Sequence, residues 1–123
     1  MKLESKYVLH IPESKFIDNE LIPLKTDDLI KDLIEKLNIN GYENLYLSKI
    51  KGYYKGRSFD ETVITIFIDR KRKKSTLPDE IFIEWFKKNN HTLKQESFAY
   101  EVDNSLYIEK LDTSKKLEKR QSP

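Results

Sequence analysis

Two strand-like segments that are apolar on both faces constrain the fold most strongly. The first, residues 7–11, reads YVLHI and ends at a proline. The second, residues 61–69, alternates isoleucines on one face with Val63, Thr65 and Phe67 on the other. A strand with one solvent-exposed face would instead place polar side chains at every second position. Both segments are therefore predicted to lie inside a sheet.

Five further segments complete a β-α-β-β-α-β-β order. Apolar side chains at helical spacing predict two α-helices, one beginning near Thr26 and one beginning at Pro78. Stretches rich in aromatic and β-branched residues predict strands over residues 45–54, 96–102 and 105–111. The chain is thus predicted to alternate strands and helices within one compact unit.

The connections are predicted from their turn residues. We expect a long loop over residues 13–25, a turn over residues 55–58 and a polar loop over residues 89–91. The dipeptide Asp103-Asn104 is typical of a two-residue β-hairpin turn. The last two strands are therefore expected to pair with each other.

The order of elements predicts an α+β fold, a ferredoxin-like βαββαβ plait with an extra C-terminal strand. A chain of 123 residues fits one domain of ordinary size. We assign the ferredoxin-like domain to residues 1–111 and expect residues 112–123 to be a charged, disordered tail. Two helices cover only one face of such a sheet, so the other face is expected to be open.

Composition excludes several classes of site. The chain has no cysteine, so it holds no disulfide, no thiolate zinc site and no cysteine nucleophile. Its 23 basic and 21 acidic side chains give a net charge of +2, which excludes a strongly cationic protein that coats nucleic acid. No stretch approaches the ~20 apolar residues of a membrane span. We expect a cytoplasmic protein without a membrane anchor.

The sequence KGYYKG at residues 51–56 carries two resemblances. With the QES sequence at residues 95–97, it resembles a family of uncharacterised ferredoxin-like bacterial and archaeal proteins, over roughly residues 6–108. That resemblance implies a ferredoxin-like fold and a tendency to form oligomers. The same KGYYKG is also similar to the base of the nucleotide-sensing loop in PII-like regulators. That likeness implies an adenine nucleotide bound between subunits.

The open sheet face is the first candidate functional surface. We expect it to carry Val8, Val63, Thr65, Phe67 and Tyr100. An exposed apolar patch of this kind is typical of an interface. The prediction is a homodimer that packs sheet on sheet through these residues.

A ligand site is predicted beside that face. Its candidate residues are His10, Lys51, Tyr53, Tyr54 and Arg57. Cations interleaved with aromatic side chains can hold phosphates and stack on bases, although the same pattern also suits an edge hairpin. We therefore expect a small-molecule ligand near the hairpin.

Five consecutive cations form the third candidate surface, for contact with a polyanion: Arg70, Lys71, Arg72, Lys73 and Lys74. Such a run is more often a solvated loop, and it would give salt-sensitive, non-specific contacts with a phosphate backbone. Nucleic acid is therefore not favoured as the main partner.

No catalytic signature is present. The two histidines, His10 and His91, fit no metal-ligand spacing, and we expect neither a metal nor a cofactor. Acidic residues flank the third and fourth predicted strands, but with 21 acidic side chains in the chain no pair of carboxylates can be identified as a catalytic dyad. The leading hypothesis is a small non-catalytic binding or regulatory domain. The alternatives are a dimeric α/β-barrel-type enzyme with a sheet-face pocket around His10 as acid or base, and a polyanion binder.

Overall fold

The fold consists of two helices and two antiparallel sheets, in a computed structural model that describes residue 3, residues 5–69 and residues 76–111. In chain order the elements are β1 (Ser5–Pro12), β2 (Ser14–Ile17), β3 (Glu20–Pro23), α1 (Asp27–Ile39), β4 (Leu45–Tyr54), β5 (Arg57–Ile68), α2 (Pro78–Leu93), β6 (Ser97–Val102) and β7 (Ser105–Lys110). The predicted α+β class is confirmed. The order differs from the predicted one because two short strands lie between β1 and α1.

The larger sheet has five strands in the order β4-β5-β1-β6-β7, and all its neighbours are antiparallel. β1 lies between β5 and β6, and β5 lies between β4 and β1. Both segments that are apolar on two faces thus lie inside the sheet. No register shift interrupts β1 and β5, which pair from Ser5 with Ile68 to Pro12 with Glu61.

The core fills the space between the helices and one face of this sheet. Its fully buried side chains include Leu9 of β1, Ile64 of β5 and Leu33 of α1. An aromatic cluster from α2 and β6 forms the centre, in which Phe82 stacks on Trp85 at 5.9 Å between ring centroids. The Trp85 indole donates a hydrogen bond to the backbone oxygen of Leu29, at 3.1 Å, which ties α2 to α1. The helices therefore bury one sheet face and leave the other free of any described helix.

The residues predicted as one long loop contain a hairpin, β2–β3, which is a correction. Asp18 and Asn19 form its turn, both with positive φ, at 52° and 65°. The Arg57 guanidinium lies over the Phe16 ring at 5.4 Å and donates to the backbone oxygen of Asn19 at 3.1 Å. The hairpin is thereby held against the start of β5.

Three other boundaries or orientations are corrected. Helix α2 continues to Leu93, so His91 lies in a helix and not in a loop. Leu93 is fully buried, and the Asn90 side chain bonds the backbone of Gln95, so the last turn is fixed in place. Strand β5 begins at Arg57, which shortens the preceding turn to Lys55 and Gly56, both with positive φ.

Tyr100 is the third correction, because it does not lie on the open face. It pairs with the fully buried Leu9 across the strands and packs against Phe82, on the side that the helices cover. Among the described residues, no helix is long and apolar enough to cross a membrane. The five-cation run and the predicted tail lie outside the described residues.

Candidate functional site

The open sheet face is a largely apolar surface with one charged group at its middle. By the strand register it carries alternate residues of all five strands. Its exposed large side chains are Tyr46, Ile50, Phe67, Leu106 and Ile108. Its central strand contributes Val8 and His10. The charged group at the middle is built on that histidine.

His10 is hydrogen-bonded on both of its ring nitrogens. Nδ1 lies 3.2 Å from Oε1 of Glu61, and Nε2 lies 2.8 Å from Oε2 of Glu101. The histidine side chain is only 16% exposed, and both glutamates are partly buried. We call these three residues the Glu–His–Glu triad.

The triad follows from strand order and alternation. His10 is directly opposite Val63 on β5, so Glu61 is its diagonal neighbour on the same face. On the other side Glu101 is directly opposite Val8, one pleat along β1 from His10. Residues two apart on a strand point to the same face. The sheet thus places one carboxylate on each side of the imidazole.

The surroundings raise the pKa of His10 above its ordinary value of 6.5. The hydrogen bond to Glu61 is the largest cause, burial opposes it, and the hydrogen bond to Glu101 adds to it. The charges of the two carboxylates act in the same direction. With the ring protonated, the triad holds two negative charges and one positive charge.

Apolar side chains flank the triad, and an aromatic pair lies further along the same face. Val63 and Val8 are buried beside it, while Tyr46 and Phe67 make an edge-to-face pair with centroids 6.2 Å apart. Charges interact more strongly beside apolar walls than in open water. The open face therefore offers an anionic centre and, further along the sheet, an exposed aromatic pair.

The predicted hairpin residues lie away from His10. Arg57, at the start of β5, is six residues from Val63, which places it roughly 20 Å along the strand from the histidine. Tyr53 is 75% exposed, and the Lys55 ammonium lies over the Tyr54 ring at 5.3 Å. The residues of the predicted ligand site are thus separated: His10 lies in the triad, while Tyr53, Tyr54 and Arg57 lie at the hairpin tip.

Lys51 borders a different feature, a cleft of about 230 Å³ under the β2–β3 hairpin. Its lining includes Glu13, Leu21, Phe59 and Asp60, and His10 does not line it. The Lys51 ammonium pairs with the Asp60 carboxylate at 3.2 Å. Lys51 and Asp60 pair with each other, and Glu13 already pairs with Lys49, so this cleft is less suited to a charged ligand than the open face.

Most of the predicted interface residues lie on the open face. Val8 and Val63 are already buried within one chain, Thr65 is partly buried, and Phe67 is 36% exposed. As described above, Tyr100 lies on the opposite face. Whether this face binds a second copy stays a prediction. In the parts of the chain that the structure describes, no group of three His, Cys, Asp or Glu side chains could hold a metal ion.

Sequence reasoning missed the two glutamates as partners of His10. Glu61 and Glu101 are two of the acids that flank the third and fourth predicted strands, among many others in the chain. Alternation places each on the face opposite to the isoleucines and tyrosines of the core. The face on which each glutamate lies, combined with the order β5-β1-β6 in the sheet, is the signal that could have identified the triad.

Known proteins were compared with the chain by sequence and by structure. No protein-family model matches it, and no curated protein matches its sequence. A phage SAM lyase in complex with S-methyl-5'-thioadenosine has a similar structure, with a TM-score of 0.62 and 15% identity, over 89% of this chain and 91% of that chain. A phage SAM lyase in the apo state gives a TM-score of 0.55 and 16% identity, over 88% and 90%.

This similarity overturns the leading hypothesis from the sequence. A non-catalytic binding or regulatory domain was expected, whereas the two similar structures are those of an enzyme. The enzyme alternative, with a pocket on the sheet face around His10, fits this finding better. The chain shares its fold with a phage SAM lyase over nearly the whole length of both.

Proposed function

We propose that this chain is a lyase that cleaves S-adenosylmethionine on its open sheet face. The observation that carries the proposal is the shared fold with an enzyme whose name states that activity. Because fold alone does not determine function, the site must supply independent support. The Glu–His–Glu triad on an apolar, aromatic face supplies it.

The chemistry of this cleavage asks for a cation-binding site. S-adenosylmethionine carries a positively charged sulfonium, and breaking the bond from sulfur to its aminobutyryl chain returns the electron pair to sulfur. One product is then the neutral thioether S-methyl-5'-thioadenosine. The four-carbon fragment balances its charge by losing a proton or by closing on its own carboxylate, so no water or co-reactant is consumed.

The triad matches the charge of that substrate. Two carboxylates and one imidazolium leave the centre of the face with a net charge of −1, and the substrate carries a fixed positive charge. The apolar side chains around it strengthen the attraction. The Tyr46 and Phe67 rings offer stacking surface to the adenine.

In this proposal the protein acts mainly by binding and orientation. A reaction within one substrate molecule is accelerated when the reacting chain is held in a productive conformation. Carboxylates that fix the positive end of the molecule, and rings that fix its adenine, would provide that hold.

The proposed architecture is a ferredoxin-like plait with the β2–β3 hairpin inserted and β7 added. In support, β1 and β5 lie side by side, and both helices lie on one side of the sheet. The homodimer also remains part of the proposal. Leu106, Ile108 and Tyr46 are 60%, 64% and 62% exposed on the open face, and a second copy over this apolar rim would leave His10 at the base of a pocket.

The test is direct product analysis. Purified protein is incubated with S-adenosylmethionine, and S-methyl-5'-thioadenosine is measured by mass spectrometry. We expect release in proportion to protein and time, reduced about tenfold or more in Glu61→Gln and Glu101→Gln because each removes a charge-assisted contact. Glu84→Gln, an exposed carboxylate of α2, is the matched control and should be unaffected. No release above the spontaneous rate would contradict the proposal.

A further inference from the structure

The contacts of His10 fix its chemical form. An ionised carboxylate only accepts hydrogen bonds, and a neutral imidazole donates through one nitrogen only. Both ring nitrogens of His10 face carboxylate oxygens, at 3.2 and 2.8 Å. With both carboxylates ionised, both contacts are hydrogen bonds at once only when both nitrogens carry a proton, and the ring is then a cation.

The same geometry leaves one oxygen on each glutamate available. Glu61 bonds His10 through Oε1, and Glu101 bonds it through Oε2. Among the described residues, neither glutamate has another hydrogen-bond or salt-bridge partner given by the structure. Two carboxylates are thus held on either side of the imidazole on the open face, with an acceptor oxygen each to spare.

We propose that His10 is a positioning residue, a fixed cation that holds Glu61 and Glu101 so that their second oxygens bind the positively charged end of a sulfonium substrate. The inference deepens the lyase proposal and rests on it for the identity of the substrate. It differs from the hypothesis that His10 is an acid or base, because the ring keeps both of its protons throughout.

The elements packed around His10 contain few groups that could perturb this arrangement. β5 contributes Glu61 and β6 contributes Glu101, and these are the charges that act on the pKa of His10. From the neighbouring edge strands, Ile50 of β4 is opposite Glu61, and Leu106 of β7 is opposite Glu101. The protonation of His10 is therefore set by its two carboxylate partners.

A consequence for pH follows from the geometry. When the ring loses a proton, one nitrogen presents a lone pair to a carboxylate, and that contact becomes repulsive. One glutamate then leaves its position. We expect kcat/KM for the sulfonium substrate to fall as the pH rises through the raised pKa of His10.

The first experiment needs no substrate. The ring nitrogens of both histidines are titrated by NMR, with His91→Gln to assign the signals. We expect His10 to titrate above 6.5, with a lower midpoint in Glu61→Gln and in Glu101→Gln and no change in Glu84→Gln. A midpoint at or below 6.5, or a midpoint unchanged in both Gln variants, would overturn the inference.

The second experiment uses the pH profile of cleavage. His10→Gln should lower kcat/KM about tenfold or more at pH 7, since a neutral amide replaces the charge-assisted donors. His10→Arg keeps a permanent cation with several donors and should restore most of that loss, without the alkaline decline. If His10→Gln kept the wild-type alkaline decline, the positioning role would be wrong.

The two proposals can fail separately. Expected NMR titrations without any cleavage of S-adenosylmethionine would refute the lyase and leave the triad geometry standing. Cleavage with an unperturbed His10 titration would refute the positioning role alone.

Discussion

Glu13 links four elements of the fold and offers a quantitative test of the structure. Its Oε1 accepts hydrogen bonds from the hydroxyls of Thr26 at 2.8 Å and Thr62 at 2.7 Å, and its Oε2 lies 3.1 Å from the Lys49 ammonium. Both threonines are only 2% exposed. The carboxylate thus connects the end of β1 to α1, β5 and β4.

The magnitude follows from these contacts. A hydrogen bond to a charged group contributes roughly 1.5–3 kcal/mol, so Glu13→Ala should lower the free energy of unfolding by about 3–6 kcal/mol. Glu13→Gln can keep the Oε1 acceptor for both hydroxyls, but the bonds lose their charge assistance and about half of their strength. We expect about 1–3 kcal/mol for that variant. Lys49→Ala, the control, removes an exposed ion pair and should cost under ~1 kcal/mol.

The stabilisation by Glu13 also depends on pH at the acid end of the range. Burial, the largest effect, would raise the pKa of Glu13, but the bonds from Thr62, Thr26 and Lys49 together lower it below its ordinary value of 4.5. Its contribution to stability is therefore full above pH 4.5 and is lost as the pH falls through the lowered pKa. The difference between wild type and Glu13→Gln should shrink in the same range.

The assay is urea unfolding followed by the fluorescence of Trp85, the one tryptophan of the chain, which is 1% exposed. Midpoints at pH 7 are compared for wild type and the three variants. A loss below about 1 kcal/mol in Glu13→Ala would refute the reasoning, because two buried hydroxyls would then be satisfied without this carboxylate.

Three other predictions concern the core and the site. Phe82→Ala should lower the free energy of unfolding by about 3–5 kcal/mol, because Phe82 is fully buried among four other rings. In the same urea assay, the same change at the exposed Phe16 should cost far less. Tyr42→Phe should lower the free energy of unfolding by about 1 kcal/mol, since the Tyr42 hydroxyl donates to the backbone oxygen of Thr76 at 2.6 Å. Burial raises the pKa of Tyr42 to about 12, so spectrophotometric titration should show that this tyrosine ionises only at strongly alkaline pH. The stability that the raised pKa of His10 contributes is full below pH 6.5 and is lost as the pH rises through that pKa, so the melting temperatures of wild type and His10→Gln should converge at alkaline pH.

Much of the layer structure could be predicted from periodicity. The first helix was expected near Thr26 and begins at Asp27, and the strand predicted over residues 45–54 has those bounds. In α1 the apolar side chains at helical spacing can be buried in a single way, with Ile30, Leu33 and Leu37 toward the core. The Asp103-Asn104 turn is also as predicted, with positive φ at both residues.

The β2–β3 hairpin and the end of α2 were not predicted, because they depend on contacts between segments that are distant in the chain. Asp18-Asn19 resembles the Asp103-Asn104 turn, but its flanking strands have four residues each and are stabilised by Arg57 from elsewhere in the chain. The end of α2 was predicted too early because Asn89, Asn90 and His91 favour loops. Burial of Leu93 outweighs that preference.

The candidate site was only half predictable. The open face and His10 followed from the strand order and from alternation along β1. The choice of Glu61 and Glu101 among many acids required the register between three strands, which is a property of the assembled sheet. Tyr100 was placed on the wrong face for the same reason, because its parity depends on its pairing with Leu9.

The central claim is that the substrate binds on the open sheet face, and methyl NMR tests it most directly. Side-chain methyl signals are followed while S-methyl-5'-thioadenosine is added to the protein. We expect shifts at the open-face methyls of Val63, Ile50 and Ile108, and little change at Leu47 and Ile64 on the helix side. Shifts confined to the helix side, or to Leu21 in the cleft under the hairpin, would contradict it.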